Sequence, residues 1–376
     1  MRPRNKVLVA LAAPACVTAA LFACADDPHR RTTADQVNVG GGACEAKAGA
    51  LPAPDCDNSD KSCAPTPGCS IDEAACGSKS TCLPLSDNKG KDVLDFRIRR
   101  LNVAAPEALA ASFIQTTVVT ANIDFNEPRC GELGKGLFTW LMRVDRKNGQ
   151  LITGGAPPLP GAISSGFCFA RFDSNGIPID PITLKIEESG GKLRTTEKKK
   201  VNIPIFLSEA LSSAIVLPIT DVTVEGVSIS DDGNCIGSLN PAALASNCSD
   251  DPSACSKWNT SGALGGFITL EEADEVFVKD LNRSLCVVLS RDQADPEGKC
   301  PREGGKIKFK GDYCSTDRQA GSCQDAVWMA ATFAASAVKV IDGADTEGCR
   351  PRATTDAGAD AGADAGDTDA GDAATD

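Results

Sequence analysis

The chain has 376 residues, a formal net charge of −13 and an isoelectric point of about 4.7. That acidity excludes nucleic acid as a partner, because a polyanion binder needs a net basic footprint, and the short basic clusters at Arg97, Arg99, Arg100 and at residues 198–200 read as solvated strand faces. The only histidine is His29, so the folded region lacks the means for a Ser-His-Asp or Cys-His pair, an H-E-x-x-H zinc site or a histidine general base.

The chain opens on Arg2, Arg4 and Lys6, runs through uncharged Val, Leu and Ala over residues 7–23, and closes that stretch with the small residues of Ala23-Cys24-Ala25. Those three parts make a bacterial export signal. The run is shorter than the roughly 20 apolar residues a membrane-spanning helix needs. It also holds Pro14 in its middle and meets Asp26 and Asp27 at once, which argues against a permanent anchor. Leu21-Phe22-Ala23-Cys24 resembles the lipobox of bacterial lipoproteins, with Phe22 where a small residue is more usual. The resemblance implies that residues 1–23 are removed, that Cys24 is lipidated on its sulfur and becomes the N-terminus, and that the protein is held at the outer membrane or cell surface. Each buried methylene contributes about 0.8 kcal/mol, so the three acyl chains this resemblance implies hold firmly where one holds marginally. The same residues also fit an ordinary small-x-small cleavage site, which releases a secreted protein beginning at Asp26.

Export places the remaining cysteines in an oxidising compartment, where thiols persist as disulfides. Of the 18 cysteines, Cys16 leaves with the signal and Cys24 takes the lipid. The other sixteen are Cys44, Cys56, Cys63, Cys69, Cys76, Cys82, Cys130, Cys168, Cys235, Cys248, Cys255, Cys286, Cys300, Cys314, Cys323 and Cys349, an even set that can pair completely. Bridges offset a thin core, since 13 Phe, 3 Trp and 1 Tyr leave few large anchors. Zinc ligation is disfavoured because the chain has no C-x-x-C pair and only His29 to offer. No metal and no cofactor is expected.

Residues 24–43 are polar, contain Pro28 and end in Gly40-Gly41-Gly42, the composition of a flexible tether. Residues 44–82 carry six cysteines among Pro, Gly, Asp and Ser and read as a small module held by three bridges, with 15 possible pairings. From Asp92 the texture becomes β-rich. Phe96 and Ile98 start a strand, and the β-branched run Thr116 to Thr120 predicts another over residues 113–123. Asn148-Gly149 predicts a hairpin turn between residues 137–144 and 151–153, and Ser174-Asn175-Gly176 and Ser189-Gly190-Gly191 mark two more turns. The strongest core signal is residues 201–229. Val201, Ile203, Ile205 and Leu207 alternate, as do Ile215, Leu217 and Ile219, and a parity change across Gly226 predicts a bulge there. Pro204 and Pro218 cannot donate to a ladder and predict an edge or a break. Asp231-Asp232-Gly233-Asn234 turns the chain, after which Cys235, Cys248 and Cys255 tie a long loop.

Residues 269–289 predict one helix, with Thr269 and Glu272 in capping-box spacing and Leu270, Ala273, Phe277, Leu281, Leu285 and Leu289 at helical intervals; a short acidic turn leading into strands is the competing pattern. Residues 326–340 fit either an alanine-rich helix or a closing strand, and their Thr and Val residues in a β-rich context favour the strand. Beyond Arg352 the chain is Asp, Ala, Gly and Thr alone, a tail (351–376) that cannot form a core and that resembles in composition the tails of surface lipoproteins of high-GC gliding bacteria. Its Asp367, Asp369 and Asp372 lack the spacing of a calcium loop.

The expected fold is mainly β, an antiparallel sandwich of jelly-roll or lectin-like type over residues 83–350 with one helix. The expected function is a non-catalytic surface lipoprotein that binds an extracellular glycan or protein through loops at one end. A second possibility is a carboxylate-dependent polysaccharide hydrolase built on Glu271, Glu272, Asp274 and Glu275, although acids in a helix's first turns also suit the helix dipole. A third is a structural envelope component.

Overall fold

The computed structural model describes residues 82–127, 132–240, 250, 256–341 and 346–350. The export signal, Cys24, the tether, the five cysteines from Cys44 to Cys76, Cys130, Cys248, Cys255 and the acidic tail lie outside the described residues.

The fold is mainly β and antiparallel, as expected. Its principal strands are β1 (Val93–Ala105), β2 (Thr139–Asp145), β3 (Gln150–Ala156), β4 (Ile182–Ser189), β5 (Lys192–Thr195), β6 (Lys199–Phe206), β7 (Ala214–Glu225), β8 (Ala263–Thr269) and β9 (Ala326–Ala337). They form one sheet in the order β6-β7-β8-β9-β1-β2-β3-β4-β5. Every neighbouring pair is consecutive in sequence except β9 and β1, which join the last strand to the first. The sheet curls until its ends meet. Leu193 of β5 exchanges backbone hydrogen bonds of 2.9 and 3.1 Å with Val227, just beyond β7. The Thr195 hydroxyl also accepts from the Val224 N–H at 3.1 Å. Two halves of a single sheet thus face each other across a shared core, and closure leaves little free strand edge.

Alternation fills that core. Leu94, Phe96 and Ile98 of β1, Trp140, Met142 and Val144 of β2, Val201 and Ile203 of β6, and Val222 and Val224 of β7 all point inward. In β7 the parity changes at Asp221 (φ 54°), where the pairing with β8 slips between Thr220 and Thr223. The predicted bulge therefore sits five residues before Gly226, whose own positive φ (63°) follows the end of the strand. β6 ends the sheet path, which accommodates Pro204, and Pro218 lies beyond the part of β7 that pairs with β8. Asn175-Gly176 and Gly190-Gly191 have positive φ at both turn positions, the geometry that matches strand twist in two-residue hairpins. At Asn148-Gly149 only the glycine does so, and a four-residue turn joins β2 to β3.

Three expectations are corrected. Residues 113–123 are helical, with a wide π-type stretch at Ile114–Thr120 followed by a turn at Ala121–Ile123. The Thr116 and Thr117 hydroxyls donate back to the carbonyls of Ser112 (2.8 Å) and Phe113 (2.5 Å), which lets β-branched threonines settle in a helix. The single helix over residues 269–289 is instead a short helix (Leu270–Glu275), a hairpin between Phe277–Val278 and Arg283–Ser284, and a second helix (Leu285–Ser290). The capping box at Thr269 and Glu272 forms, but Asn282 in the left-handed region (φ 49°) turns the chain back and Ser284 caps a new start. The third correction concerns Arg97, Arg99 and Arg100. They are at most 1% exposed, because loops cover the outer face of β1. The lysines at 198–200 are exposed, as predicted.

Among the described residues, four disulfides join Cys82 to Cys235, Cys168 to Cys349, Cys286 to Cys300 and Cys314 to Cys323. Cys82 thus ties the 44–82 segment to a strand 153 residues on, and three bridges internal to that segment cannot include it. In the chain-entropy account a loop of that length stabilises by about 5 kcal/mol, and a nine-residue loop by about half as much. Replacing Cys82 and Cys235 together with serine is therefore expected to lower the unfolding free energy in urea by about 3 to 5 kcal/mol, and the Cys314/Cys323 pair by less. Peptide mapping without reduction should return the same four linkages.

Candidate apolar binding site

Inward-facing side chains do not fill one end of the curled sheet. A cavity of about 160 Å³ remains there. Its walls are Leu101 and Val103 of β1, Phe138 and Trp140 at and before β2, Ile205 of β6, Ile215, Leu217 and Ile219 of β7, Leu264 of β8, and Met329 and Ala331 of β9. Every lining side chain is apolar, and the one polar atom Trp140 carries is turned away, its Nε1 donating to Thr153 Oγ1 at 2.8 Å. An engineered apolar cavity of about 150 Å³ stays dry and binds benzene, so this space suits a similar apolar group.

Two helical segments cover the opening. The first contributes Ile114, Val118 and Val119. It is held to β1 by Gln115, whose buried amide accepts from the Val103 N–H (2.9 Å) and donates to the Leu101 carbonyl (2.8 Å). The second, Leu285–Ser290, contributes Leu285 and Val288, with Val278 and Leu281 from the hairpin before it. An ion pair between Glu107 and Arg291 (3.1 Å) bridges the two sides of this lid. Around it stand the exposed apolar side chains Leu281 (50%) and Phe277 (40%), and Phe113 (71%) directly precedes the first lid segment.

The acidic cluster proves to be the lid's fastening. Asp274 is sealed from solvent and accepts from the Ser284 hydroxyl (2.8 Å), the Cys300 N–H (2.8 Å) and Arg302 Nη2 (2.9 Å). Ser284 in turn caps the lid helix, and Cys286 within that helix is bonded to Cys300. Glu271 pairs with Arg302 (2.7 Å), Glu275 with Lys299 (2.8 Å) and Glu272 with Lys200. Each carboxylate is engaged by a basic side chain, and the most buried one is spent on positioning, so the four form an ion-pair network that holds structure. Asp274, Cys286 and Cys300 lie close together, as do Cys314, Cys323 and Asp325, but in both groups the sulfurs are consumed by a disulfide and offer no thiolate to a metal. The aromatic residues that a sugar site uses as platforms, Trp140, Trp258, Trp328 and Tyr313, are all buried.

The arginines behind β1 are also structural. Arg97 lies over the Phe125 ring at 4.0 Å and donates to the carbonyl of Ile123 at 2.7 Å. Arg99 donates to the carbonyl of Leu83 at 2.9 Å and lies 4.9 Å from Phe125 and 5.6 Å from Trp258. Arg100 reaches Asp250 at 3.0 Å.

Sequence reasoning identified the β7 wall through the alternation of Ile215, Leu217 and Ile219. It missed the first lid segment, because residues 113–123 were read at strand spacing; Ile114, Val118 and Val119 already recur at the i, i+4, i+5 spacing of one helix face. Comparison with protein-family models, with curated proteins and with solved structures returns no match.

Burial alone would raise the Asp274 pKa, but the hydrogen bonds from Cys300, Arg302 and Ser284 outweigh it and hold the carboxyl below its ordinary value. A carboxyl whose folded pKa lies below its unfolded value of about 3.9 adds stability that is complete above that value and is lost as pH falls through the folded pKa. Asp274→Asn should therefore lower stability at pH 7 by about 2 kcal/mol. It should also flatten the acid-side decline of the urea midpoint below about pH 4.

Proposed function

We propose that this chain is an exported, lipid-anchored binding protein whose β domain holds a small apolar ligand beneath the helical lid and performs no chemistry on it. The observation that carries the reading is the cavity itself: a space large enough for a six-membered ring, walled entirely by apolar side chains. The four disulfides support an oxidising compartment, and the Leu21-Phe22-Ala23-Cys24 segment supports anchoring through Cys24. Buried aromatic residues and fully paired acids favour this reading over polysaccharide hydrolysis.

Benzene, a single ring matched to the cavity, should bind the full chain saturably in a calorimetric titration. Leu217→Trp places an indole in the cavity and should weaken that binding at least tenfold. Saturable binding that survives this substitution in a protein with unchanged circular dichroism would place the ligand elsewhere and end the proposal.

Anchoring is tested separately. Cys24→Ser is expected to move the protein from the membrane fraction to the medium or periplasm and to abolish the acylated mass. An unchanged distribution and mass would instead favour cleavage after Ala25.

A further inference from the structure

The two halves of the lid are fastened unequally. The half after β8 is tied by the bond from Cys286 to Cys300, by Ser284 to the buried Asp274, and by the backbone N–H groups of Ser284 and Leu285, which donate to the carbonyls of Gly298 and Val276 at 2.7 Å each. Its helix, Leu285–Ser290, buries four of its six residues. The half after β1 is held more lightly. Among the described residues, the hydrogen bonds and ion pairs that run from residues 106–120 to the rest of the chain are those of the Gln115 amide and the Glu107–Arg291 pair. That pair is exposed at both ends, where such contacts contribute little. The π-type stretch Ile114–Thr120 buries only Gln115 and Val119.

This lighter half also has places to bend. Pro106 and Ala111 are extended (ψ 161° and 136°), which sets the short helix Glu107–Ala110 apart from the strand before it and the π-type stretch after it. Asp124 is extended too (ψ 142°), and the carbonyls of Ala121, Asn122, Asp124 and Phe125 accept from the N–H groups of Lys135, Phe138, Gly136 and Gly134, which secures that end. Between β1 and this anchor the chain forms a strap held down by Gln115. The latch has a structural reason. β2 pairs with β1 over residues 93–97, and beyond that overlap the Leu101 carbonyl and the Val103 N–H take the Gln115 amide in place of a strand. Water can replace that amide when the strap lifts, so opening leaves no backbone group of β1 without a partner.

We propose that residues 106–120 are the gate of the apolar cavity and that Gln115 is its latch: the strap lifts from β1 to admit and release an apolar ligand while the disulfide-bonded half stays in place. The inference rests on the apolar-ligand reading and adds how the site is entered. Leu109, Ile114, Val118 and Val119 line the cavity from the strap, so its closure completes the apolar wall around the ligand. Opening exposes those four side chains, which keeps the closed state predominant.

Exchange of benzene with the full chain, read from the broadening of its proton resonance at several concentrations, measures the gate. Gln115→Met keeps the side chain's length without its hydrogen bonds. It is expected to raise the association and dissociation rates together by about fivefold to thirtyfold, with a change in Kd below about twofold because the closed state still predominates. Asp274→Asn loosens the other half with its disulfide intact and should leave both rates within about twofold. Rates unchanged in Gln115→Met, or raised more by Asp274→Asn, overturn the gate and leave the cavity in place. Hydrogen exchange on the unaltered chain gives a test without substitution: amides of residues 114–120 should exchange at least about tenfold faster than those of residues 285–290, and should slow when benzene is added. Faster exchange in residues 285–290 assigns the opening to the other half and overturns the proposal. Absence of benzene binding overturns the underlying apolar-ligand reading, and the gate with it.

Discussion

Burial of both faces of β1 is the constraint on which the rest of the molecule depends. Its inner face supplies Leu94, Phe96, Ile98, Leu101 and Val103 to the core and the cavity wall. Its outer face carries three arginines, which water would normally claim, and removing such charges from solvent costs several kcal/mol each before any return. The return comes from carbonyl acceptors on Leu83, Ile123 and Phe138, from the Asp250 carboxylate, and from the faces of Phe125 and Trp258. Guanidinium suits this role because it is planar, gives five donors and stacks on rings, which an ammonium does not. The loops are held by the charge they cover, so the arginines specify where the connections lie as much as they stabilise them.

The same strand closes the sheet. β1 pairs with β9 through a register that sets Leu101 opposite Phe333 and Val103 opposite Ala331, and with β2 on its other side. Chain ends are thereby joined in the middle of the sheet, a pairing of high sequence separation that carries a large loop-closure entropy. The disulfide from Cys82 to Cys235 stands against this seam: the Ser336 hydroxyl of β9 donates to the Cys82 carbonyl, and Cys235 pairs with Ser336 across the short strand that carries it. A covalent tie here offsets part of that entropy where the topology demands most of it.

Much of this was legible in the sequence, for physical reasons that can be named. Alternation of β-branched residues in β6 and β7 and the Gly-containing turns are local signals, and they gave the strands, the hairpins and the class of fold. The Thr269–Glu272 cap was local too. What lay hidden was set by distant parts of the chain. Arg97, Arg99 and Arg100 look like surface residues until Phe125 and Trp258 arrive over them. The threonines at 116, 117 and 120 have strand propensity, and the helix there is held by Gln115 bonding to the backbone of β1 and by hydroxyl bonds from Thr116 and Thr117 to the preceding turn. The long apparent helix over residues 269–289 failed because Asp274 binds Ser284 and Cys300, which folds the chain back on itself.

The walls of the cavity are unequal. On the side of β8 and β9 they include Gly265, Ala330 and Ala331, whereas the facing strands present Leu, Ile and Trp. The void exists because one wall has given up side-chain volume where the backbone is most firmly held, between β1 and β7 in the centre of the sheet. Capacity is therefore set by a few positions whose backbone does not depend on their side chains. A change of one or two methyl groups at Ala331 resizes the chamber without disturbing strand register, lid or bridges. Ligand size in this architecture is an adjustable property, open to divergence between related chains while the scaffold stays constant.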